Sequence, residues 1–157
     1  MKKNILFVCT GNSCRSVMAE GFFKRMTASR PEQFLVGSAG ISAMDGYPAS
    51  QETVQVMNEH GIDVSAHQGR RLTGAMVRMA DRIFVMETLH KVAILNTWPE
   101  AGEKVHLLTE YAKDQKLRLQ GIDIPDPIRM PDDFYKNVSR VIESCVKRVA
   151  EELNDQT

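Results

Sequence analysis

Potentially reactive side chains are concentrated in one short segment near the start of the sequence, CTGNSCRS at residues 9–16. Cys9 is a candidate nucleophile, and Arg15 follows it after five intervening residues. A loop of this length can curl so that its backbone N–H groups converge, which creates a site for an anion. Arg15 would then close the mouth of the loop and bind two oxygens of the anion bidentately.

The same segment predicts that Cys9 is ionised at neutral pH. The loop amides and the positive end of the following helix both favour a thiolate, which is the nucleophilic form of cysteine. The segment is not a nucleotide-binding loop, because Gly11 stands alone and no Gly-Lys-Ser/Thr follows it. The alternative is that Cys9 is an apolar thiol buried at a strand end, but the combined spacing is far more specific than a single cysteine.

The segments that must position this loop alternate between strand and helix. Continuous apolar runs predict four buried strands, at residues 4–9, 33–40, 80–87 and 104–109. Strands separated by helices indicate an α/β fold, a three-layer structure in which a four-stranded parallel sheet carries helices on both faces. Ligands bind beyond the carboxyl ends of such strands, which is where residues 9–16 lie. The length of 157 residues predicts a single domain, 1–157.

Three helices are predicted from the spacing of apolar residues. The first follows the reactive loop, and Met18, Phe22 and Met26 lie on one of its faces. In the second, Val54 and Met57 are expected to point inward, and a glycine at 61 ends the helix. The third covers residues 132–153, and its predicted buried stripe consists of Phe134, Val138, Val141, Ile142, Cys145, Val149 and Leu153.

Composition excludes several classes of protein. The 20 basic residues balance the 20 acidic ones, so there is no basic field for nucleic acid and no polybasic membrane anchor. The apolar run at the N-terminus is too short for a signal peptide or a membrane span, and we expect a cytoplasmic protein. No cofactor or metal is expected, because Cys9 and Cys14 lack two further ligands at suitable spacing. His60, His90 and His106 are expected at the surface or at helix ends.

Four motifs together resemble the low-molecular-weight protein-tyrosine-phosphatase family over nearly the whole chain. They are VCTGNSCRS around the reactive loop, SAG at residues 38–40, HQGRRLT at 67–73 and DP at 126–127. The superfamily also contains protein-arginine phosphatases and thiol-linked arsenate reductases. The resemblance implies the fold described above and a reaction through a phosphocysteine intermediate on Cys9. Val17 departs from the pattern, because the family often has proline there, but this change removes no catalytic group.

The resemblance also implies roles for individual residues. Cys9, Arg15 and Asp126 would be catalytic, with Asp126 as the general acid in a loop stiffened by two prolines. Asp126 could instead be only a turn residue, and Asp123 is then the second candidate for the acid. The phosphate-binding residues would be Thr10, Gly11, Asn12, Ser13, Cys14 and Arg15.

Supporting residues are expected around the nucleophile. Ser16 can donate a hydrogen bond to the Cys9 sulfur, and the resemblance implies that Asn12, Ser38 and His67 form a polar network that keeps the loop in shape. Asn12 suits a tight turn because asparagine tolerates left-handed backbone angles.

Cys14 is a redox candidate. It could form a reversible disulfide with Cys9 that protects the nucleophile, or it could pack behind the loop.

The substrate is expected to be a phosphorylated protein, through phosphotyrosine or phosphoarginine. Tyrosine-directed relatives typically have aromatic or apolar residues where this chain has Ser13, Met44 and Ile128, so these three are candidate specificity residues. Phosphotyrosine comes first for the family as a whole, and the serine at 13 keeps phosphoarginine close behind. Arsenate reduction would need an external thiol, because no cysteine lies between Cys14 and Cys145. An inactive phosphate-binding module is disfavoured, because the cysteine, arginine and aspartate are all present.

Overall fold

The reactive loop follows a strand that lies inside a parallel sheet. The computed structural model describes residues 1–112 and 122–156. Within them the strand order is β2-β1-β3-β4, and each neighbouring pair is parallel. The strands are β1 (Lys3–Cys9), β2 (Phe34–Gly40), β3 (Arg82–Val85) and β4 (Val105–Leu107). The predicted α/β fold with four parallel strands is therefore confirmed.

Helices cover both faces of this sheet. They are α1 (Arg15–Met26), α2 (Gln51–Glu59), α3 (Gly74–Met79), α4 (Thr88–Thr97) and α5 (Asp132–Asp155), with short 3₁₀ turns at Pro99–Ala101 and Leu108–Tyr111. Helix α3 is too short to show an apolar period, and α4 has exposed leucine and valine side chains beside a buried Ile94. For these reasons neither helix is evident from apolar spacing alone.

Strand β1 divides its side chains between two apolar cores. Ile5, Phe7 and Cys9 point into the core that α1 and α5 share. Leu6 and Val8 point into the core beneath α3 and α4. Alternation of side chains along a strand with both faces covered explains why its sequence is continuously apolar. Cys9 therefore lies on the α1 side of the sheet, at the end of one of its two inner strands.

Most of the stripe predicted for helix α5 is confirmed, but Phe134 is only half-buried and Val141 is exposed. Val138, Ile142 and Cys145 are buried, whereas 36% of Val141 is exposed. The helical period of 3.6 residues places position 141 about 100° from position 142, so it lies at the edge of the stripe.

Helix α2 differs in a similar way. Met57 is buried as predicted, but Val54 is only half-buried, and Thr53 and Val56 complete the inner face. Among the described residues, no helix is both long enough and apolar enough to cross a membrane.

Candidate active site

The end of β2 lets the reactive loop approach the sheet closely. A Cβ atom at Gly40 would lie 2.6 Å from the Thr10 carbonyl oxygen and 2.8 Å from the Asn12 nitrogen. Both neighbours are backbone atoms that cannot move aside as a flexible side chain could. Glycine at the end of the SAG motif is therefore required by the packing of the loop against β2.

The carbonyl groups of the loop are turned outward, toward neighbouring segments. The bonds run from Ile41 N to Cys9 O, from Ser42 N to Thr10 O, from His67 Nε2 to Asn12 O and from Ser50 N to Ser13 O, at 2.9, 2.9, 2.9 and 3.0 Å respectively. In a trans peptide the N–H group points opposite to the carbonyl that precedes it. The N–H groups of residues 10, 11, 13 and 14 are thus turned away from these segments, as an anion-binding nest requires.

Asn12 holds the loop in this shape from inside. Its side chain is fully buried, and its φ of 52° lies in the left-handed region that asparagine tolerates. The backbone N–H of Arg70 donates to Asn12 Oδ1 at 2.9 Å, which fixes the orientation of the amide. Asn12 Nδ2 then donates to Ser16 Oγ at 2.8 Å and to Ser38 Oγ at 2.9 Å.

This orientation leaves the Ser16 hydrogen available to the Cys9 sulfur. The Ser16 oxygen accepts from Asn12 and lies 3.0 Å from Cys9 Sγ, and because a thiolate carries no hydrogen, Ser16 must be the donor when Cys9 is ionised. A donated hydrogen bond stabilises a thiolate more than a thiol. The predicted contact between Ser16 and Cys9 is present in the structure.

The network continues outward through Ser38 to helix α1. Ser38 accepts from Asn12 and donates to Glu20 Oε2 at 3.1 Å. His67 Nε2 faces a carbonyl oxygen and therefore carries a hydrogen, while its Nδ1 lies 3.9 Å from the same Glu20 carboxylate. The structure thus brings Asn12, Ser38 and His67 together and adds Glu20, which the sequence analysis does not include.

Arg15 follows the loop at the start of α1 and is almost completely buried, with 1% of its surface exposed. Its Nη1 donates to the Ile124 carbonyl at 2.8 Å and forms an ion pair with Glu87 Oε1 at 2.9 Å. A buried guanidinium needs such partners, since an unpaired charge inside a protein is strongly destabilising. Because both contacts use Nη1, the edge formed by Nε and Nη2 is oriented away from them, and Nη2 lies 3.7 Å from Asp126 Oδ2.

The two candidate acids lie in different surroundings. Asp126 faces Arg15 and retains a side chain that is 42% exposed, with one oxygen accepting from the Ile128 N–H at 3.0 Å. Asp123 instead accepts from both the backbone N–H and the hydroxyl of Thr88, at 2.7 and 2.9 Å. One oxygen of Asp123 is thus used to anchor the start of α4, which favours Asp126 as the proton donor.

Glu87 and His90 are part of the site and were missed from the sequence. They form a capping box at the start of α4, in which the Glu87 carboxylate accepts from the His90 N–H and His90 Nδ1 accepts from the Glu87 N–H at 3.1 Å. His90 lies at a helix end, which was one of its two expected positions, but it is fully buried. The sequence pattern that could have predicted this capping box is an acidic residue at a strand end with a histidine three positions later.

The surroundings of His90 keep its imidazole neutral. Burial, followed by the positive charge of Arg15, lowers the pKa of His90 from 6.5 to about 4, although the negative charges of Asp123 and Asp126 oppose the shift. His90 Nε2 lies 2.9 Å from Thr10 Oγ1, so the imidazole contacts the residue that follows Cys9.

Cys14 is buried directly before the start of α1, in the same apolar core as Cys9. Its sulfur lies 3.3 Å from Ser50 Oγ and 3.9 Å from the Tyr135 hydroxyl. Burial, and secondarily the contact with Cys14, raises the pKa of Tyr135 above its usual value. All three cysteines are free thiols in this structure, and a disulfide between Cys9 and Cys14 stays a prediction.

Comparison with known proteins identifies the family of this site. Residues 4–157 match the family model described as low molecular weight phosphotyrosine protein phosphatase. The Ptp low molecular weight protein-tyrosine-phosphatase of Acinetobacter johnsonii is 38% identical over 144 residues, which cover 92% of this chain and 93% of that protein. The chain belongs to the low-molecular-weight phosphatase family.

Protein-arginine phosphatases are also similar to this low-molecular-weight phosphatase chain. The protein-arginine-phosphatase of Geobacillus stearothermophilus is 33% identical over 156 residues, covering 99% of each protein. The structure of the YwlE arginine phosphatase from Geobacillus stearothermophilus superimposes with a TM-score of 0.87 at 32% identity, over 98% of this chain and 94% of that one. The resemblance stated from the sequence is confirmed, and so is the low-molecular-weight phosphatase fold.

Proposed function

We propose that this protein is a phosphatase of phosphorylated proteins that uses Cys9 as its nucleophile. The main observation is the geometry around that thiol. The Ser16 hydroxyl lies 3.0 Å from its sulfur, the loop N–H groups are turned away from the surrounding segments, and Arg15 lies beside Asp126. An anion bound in this loop would lie between the nucleophile and the acid.

In the first step the Cys9 thiolate attacks phosphorus in line with the leaving oxygen or nitrogen. A sulfur–phosphorus bond forms, the bond to the leaving atom breaks with its electron pair, and Asp126 supplies the proton which that atom needs. The loop amides and the Nε–Nη2 edge of Arg15 stabilise the equatorial oxygens, where charge is greatest.

In the second step water hydrolyses the phosphocysteine. Asp126, now ionised, takes a proton from the attacking water, and the sulfur–phosphorus bond breaks with its electron pair returning to Cys9. The Ser16 hydroxyl, oriented by Asn12, donates to the departing sulfur and stabilises the thiolate. One group thus serves the nucleophile at the start and the leaving group at the end.

Phosphotyrosine is the first candidate substrate. The tyrosine-phosphatase relative is more similar in sequence than the arginine-phosphatase relative, at 38% against 33% identity. The loop between β2 and α2 also carries two large exposed side chains, Met44 at 65% and Tyr47 at 58% exposure, which can form an apolar wall for a phenyl ring.

Phosphoarginine is the second candidate, supported by the residues at two of the specificity positions. Ser13 is half-buried in the loop and has a hydroxyl rather than an apolar side chain. Ile128, with 55% of its surface exposed, stands in the place where tyrosine-directed relatives typically have an aromatic residue. A hydroxyl beside the phosphate site can bind a guanidinium N–H, which an isoleucine could not.

The two remaining alternatives have less support. Arsenate reduction needs a thiol that can reach Cys9, but Cys145 is packed in the core, where burial raises its pKa to about 11. An external thiol would have to replace it. A binding module without turnover would not require an acid beside Arg15, and Asp126 occupies that position. We place the enzyme in the cytoplasm, where reducing conditions keep a catalytic thiol free.

The test of substrate class compares phosphotyrosine, phosphoarginine and phosphoserine peptides by kcat/KM, in the wild type and in Ser13→Ile. Phosphoserine should be the poorest substrate, because its short side chain cannot reach the floor of the loop. Ser13→Ile adds apolar wall and removes a hydroxyl, so it should raise the ratio of phosphotyrosine to phosphoarginine turnover by about 10- to 200-fold.

Ser13→Thr is the matched control, because it adds a methyl group and keeps the hydroxyl, and it should leave phosphoarginine turnover near the wild-type value. An unchanged ratio in Ser13→Ile would assign selectivity to Met44 and Ile128 instead. If no phosphopeptide is hydrolysed but arsenate is reduced with an added thiol, the phosphatase proposal is wrong.

A further inference from the structure

The imidazole of His90 lies close to both ends of the reactive loop. Its hydrogen-bond partners show which of its nitrogens carries a hydrogen. The backbone N–H of Glu87 can only donate, so His90 Nδ1, at 3.1 Å, must be the acceptor. In a neutral imidazole the single hydrogen then lies on Nε2. That hydrogen is donated to Thr10 Oγ1 at 2.9 Å.

Each partner of His90 leads to a catalytic group. Thr10 directly follows the nucleophile Cys9 in the chain. Glu87 accepts a hydrogen bond from the His90 backbone and binds Arg15 Nη1 at 2.9 Å. The imidazole therefore lies between the residue that follows the nucleophile and the carboxylate that holds the arginine. It is fully buried, so water cannot substitute for either contact without entering the core.

We propose that His90, as a neutral imidazole protonated at Nε2, is a positioning residue. It fixes the position of the phosphate loop relative to the Arg15 guanidinium. This inference rests on the proposed phosphatase function of the same loop. His90 does not contact substrate; it acts through Thr10 on one side and through Glu87 and Arg15 on the other. The loop amides and the guanidinium edge of Arg15 bind the same anion. If Thr10 or Glu87 moved, the two would be separated, and both phosphate binding and turnover would weaken.

The experiment uses substitutions that remove one contact of His90 at a time. Asn at position 90 can place its oxygen where Nδ1 lies, so His90→Asn keeps the acceptor for Glu87 and loses the donor to Thr10. Gln reaches further and can place its amide N–H near the Nε2 position, so His90→Gln keeps the donor. Thr10→Val removes the hydroxyl at nearly constant volume. Each variant is measured for kcat and KM with p-nitrophenyl phosphate and for the Kd of inorganic phosphate by calorimetry.

Loss of this one hydrogen bond should lower kcat/KM by about 3- to 10-fold in His90→Asn and in Thr10→Val, and should weaken phosphate binding by a similar factor. The double variant should be no worse than either single variant, because both substitutions remove the same bond. His90→Gln keeps the donor to Thr10 but loses the acceptor for the Glu87 N–H, so it should show a separate loss of its own. Nitrogen-15 NMR of the wild type should show His90 protonated at Nε2 and not at Nδ1.

Other results would overturn the inference. They are additive effects in the double variant, wild-type kinetics and phosphate binding in His90→Asn with only a lowered Tm, or an NMR spectrum with the hydrogen on Nδ1. Failure of the proposed function is distinct, because it would appear as no turnover by the wild type. In that case the phosphate Kd values and the NMR spectrum still decide whether His90 positions the loop.

Discussion

The floor and the rim of this active site are built differently. On the floor, Asn12, Arg15 and Ser16 are buried, and each has several hydrogen-bond or ion-pair partners. At the rim, the Asp126 side chain is 42% exposed, and its carboxylate accepts from the neighbouring Ile128 N–H and lies 3.7 Å from Arg15. Apolar side chains show the same contrast. Ile128 and Met44 at the rim are more than half exposed, whereas the apolar residues of the core beneath the loop are buried.

This difference separates the chemistry from the choice of substrate. Groups that stabilise a transition state work best when their dipoles are fixed in advance, and buried, fully bonded residues meet that condition. A proton donor must instead meet leaving groups of different size, and the residues beside it determine which ones fit. Changes on the floor should therefore reduce the rate for every substrate, whereas changes at the rim should depend on the substrate.

The largest expected effect that depends on the substrate comes from Asp126→Asn. Without the acidic proton, kcat/KM for a phenyl phosphate with a poor leaving group should fall by about 10²–10⁴-fold, and p-nitrophenyl phosphate should be affected much less. Wild-type kcat/KM should show a bell-shaped pH profile, because the proposed reaction uses both a thiolate nucleophile and a protonated acid. The basic limb of that profile should flatten in the variant.

Asp123→Asn is the matched control for this prediction. Asp123 binds the start of α4 through Thr88, so its variant should keep the dependence on leaving group and the shape of the pH profile. If Asp123→Asn flattens the basic limb and Asp126→Asn does not, the acid has been assigned to the wrong carboxylate.

On the floor, Arg15→Lys should reduce activity with every substrate. A single ammonium cannot bind Glu87 and the Ile124 carbonyl and also present two parallel N–H groups to an anion. We expect kcat/KM to fall by about 10²–10³-fold for good and poor leaving groups alike. Arg140→Lys, on the exposed side of α5, should have no effect. Activity of Arg15→Lys within a few-fold of wild type would show that Arg15 does not bind the transferring group.

The smallest expected effect concerns stability against pH. The pKa of His90 is about 4 in the folded protein and 6.5 for the model group, so the unfolded chain takes up a proton first as the pH falls. The free energy of unfolding should lose up to roughly 3 kcal/mol through His90 between those two pKa values and should be independent of His90 above them. Urea unfolding at several pH values measures the slope of the free energy of unfolding against pH.

His90→Gln should flatten that slope, because it removes the titrating group. Thr10→Val retains the buried imidazole and should keep the slope. Equal slopes in the wild type and His90→Gln would show that His90 does not titrate in this range.

The floor was the more predictable part of the site. Its residues are contiguous in sequence, and their types and spacing specify a strand, an anion nest and a nucleophile. Asn12 could be placed because a tight nest needs a residue that tolerates a positive φ. The four strands were predictable for a related reason, since each is a short run that contains mainly apolar or small residues.

Glu87 and His90 could not be predicted in the same way. They reach the loop only because β3 pairs with β1 in register, which places the start of α4 beside Thr10. That adjacency follows from the strand order, not from local spacing. The error at Val141 has a similar origin, because the edge of a helical stripe depends on how far the packed neighbour extends.

The most direct test of the account is whether phosphate is covalently attached to Cys9 during turnover. Wild-type protein quenched in acid during hydrolysis of p-nitrophenyl phosphate should carry one phosphoryl group on the peptide that contains Cys9, identified by mass spectrometry. Cys9→Ser should hydrolyse no p-nitrophenyl phosphate and still bind inorganic phosphate, because the loop amides and Arg15 are unchanged. Normal turnover by Cys9→Ser, or a phosphoryl group on another residue of the wild type, would contradict the account.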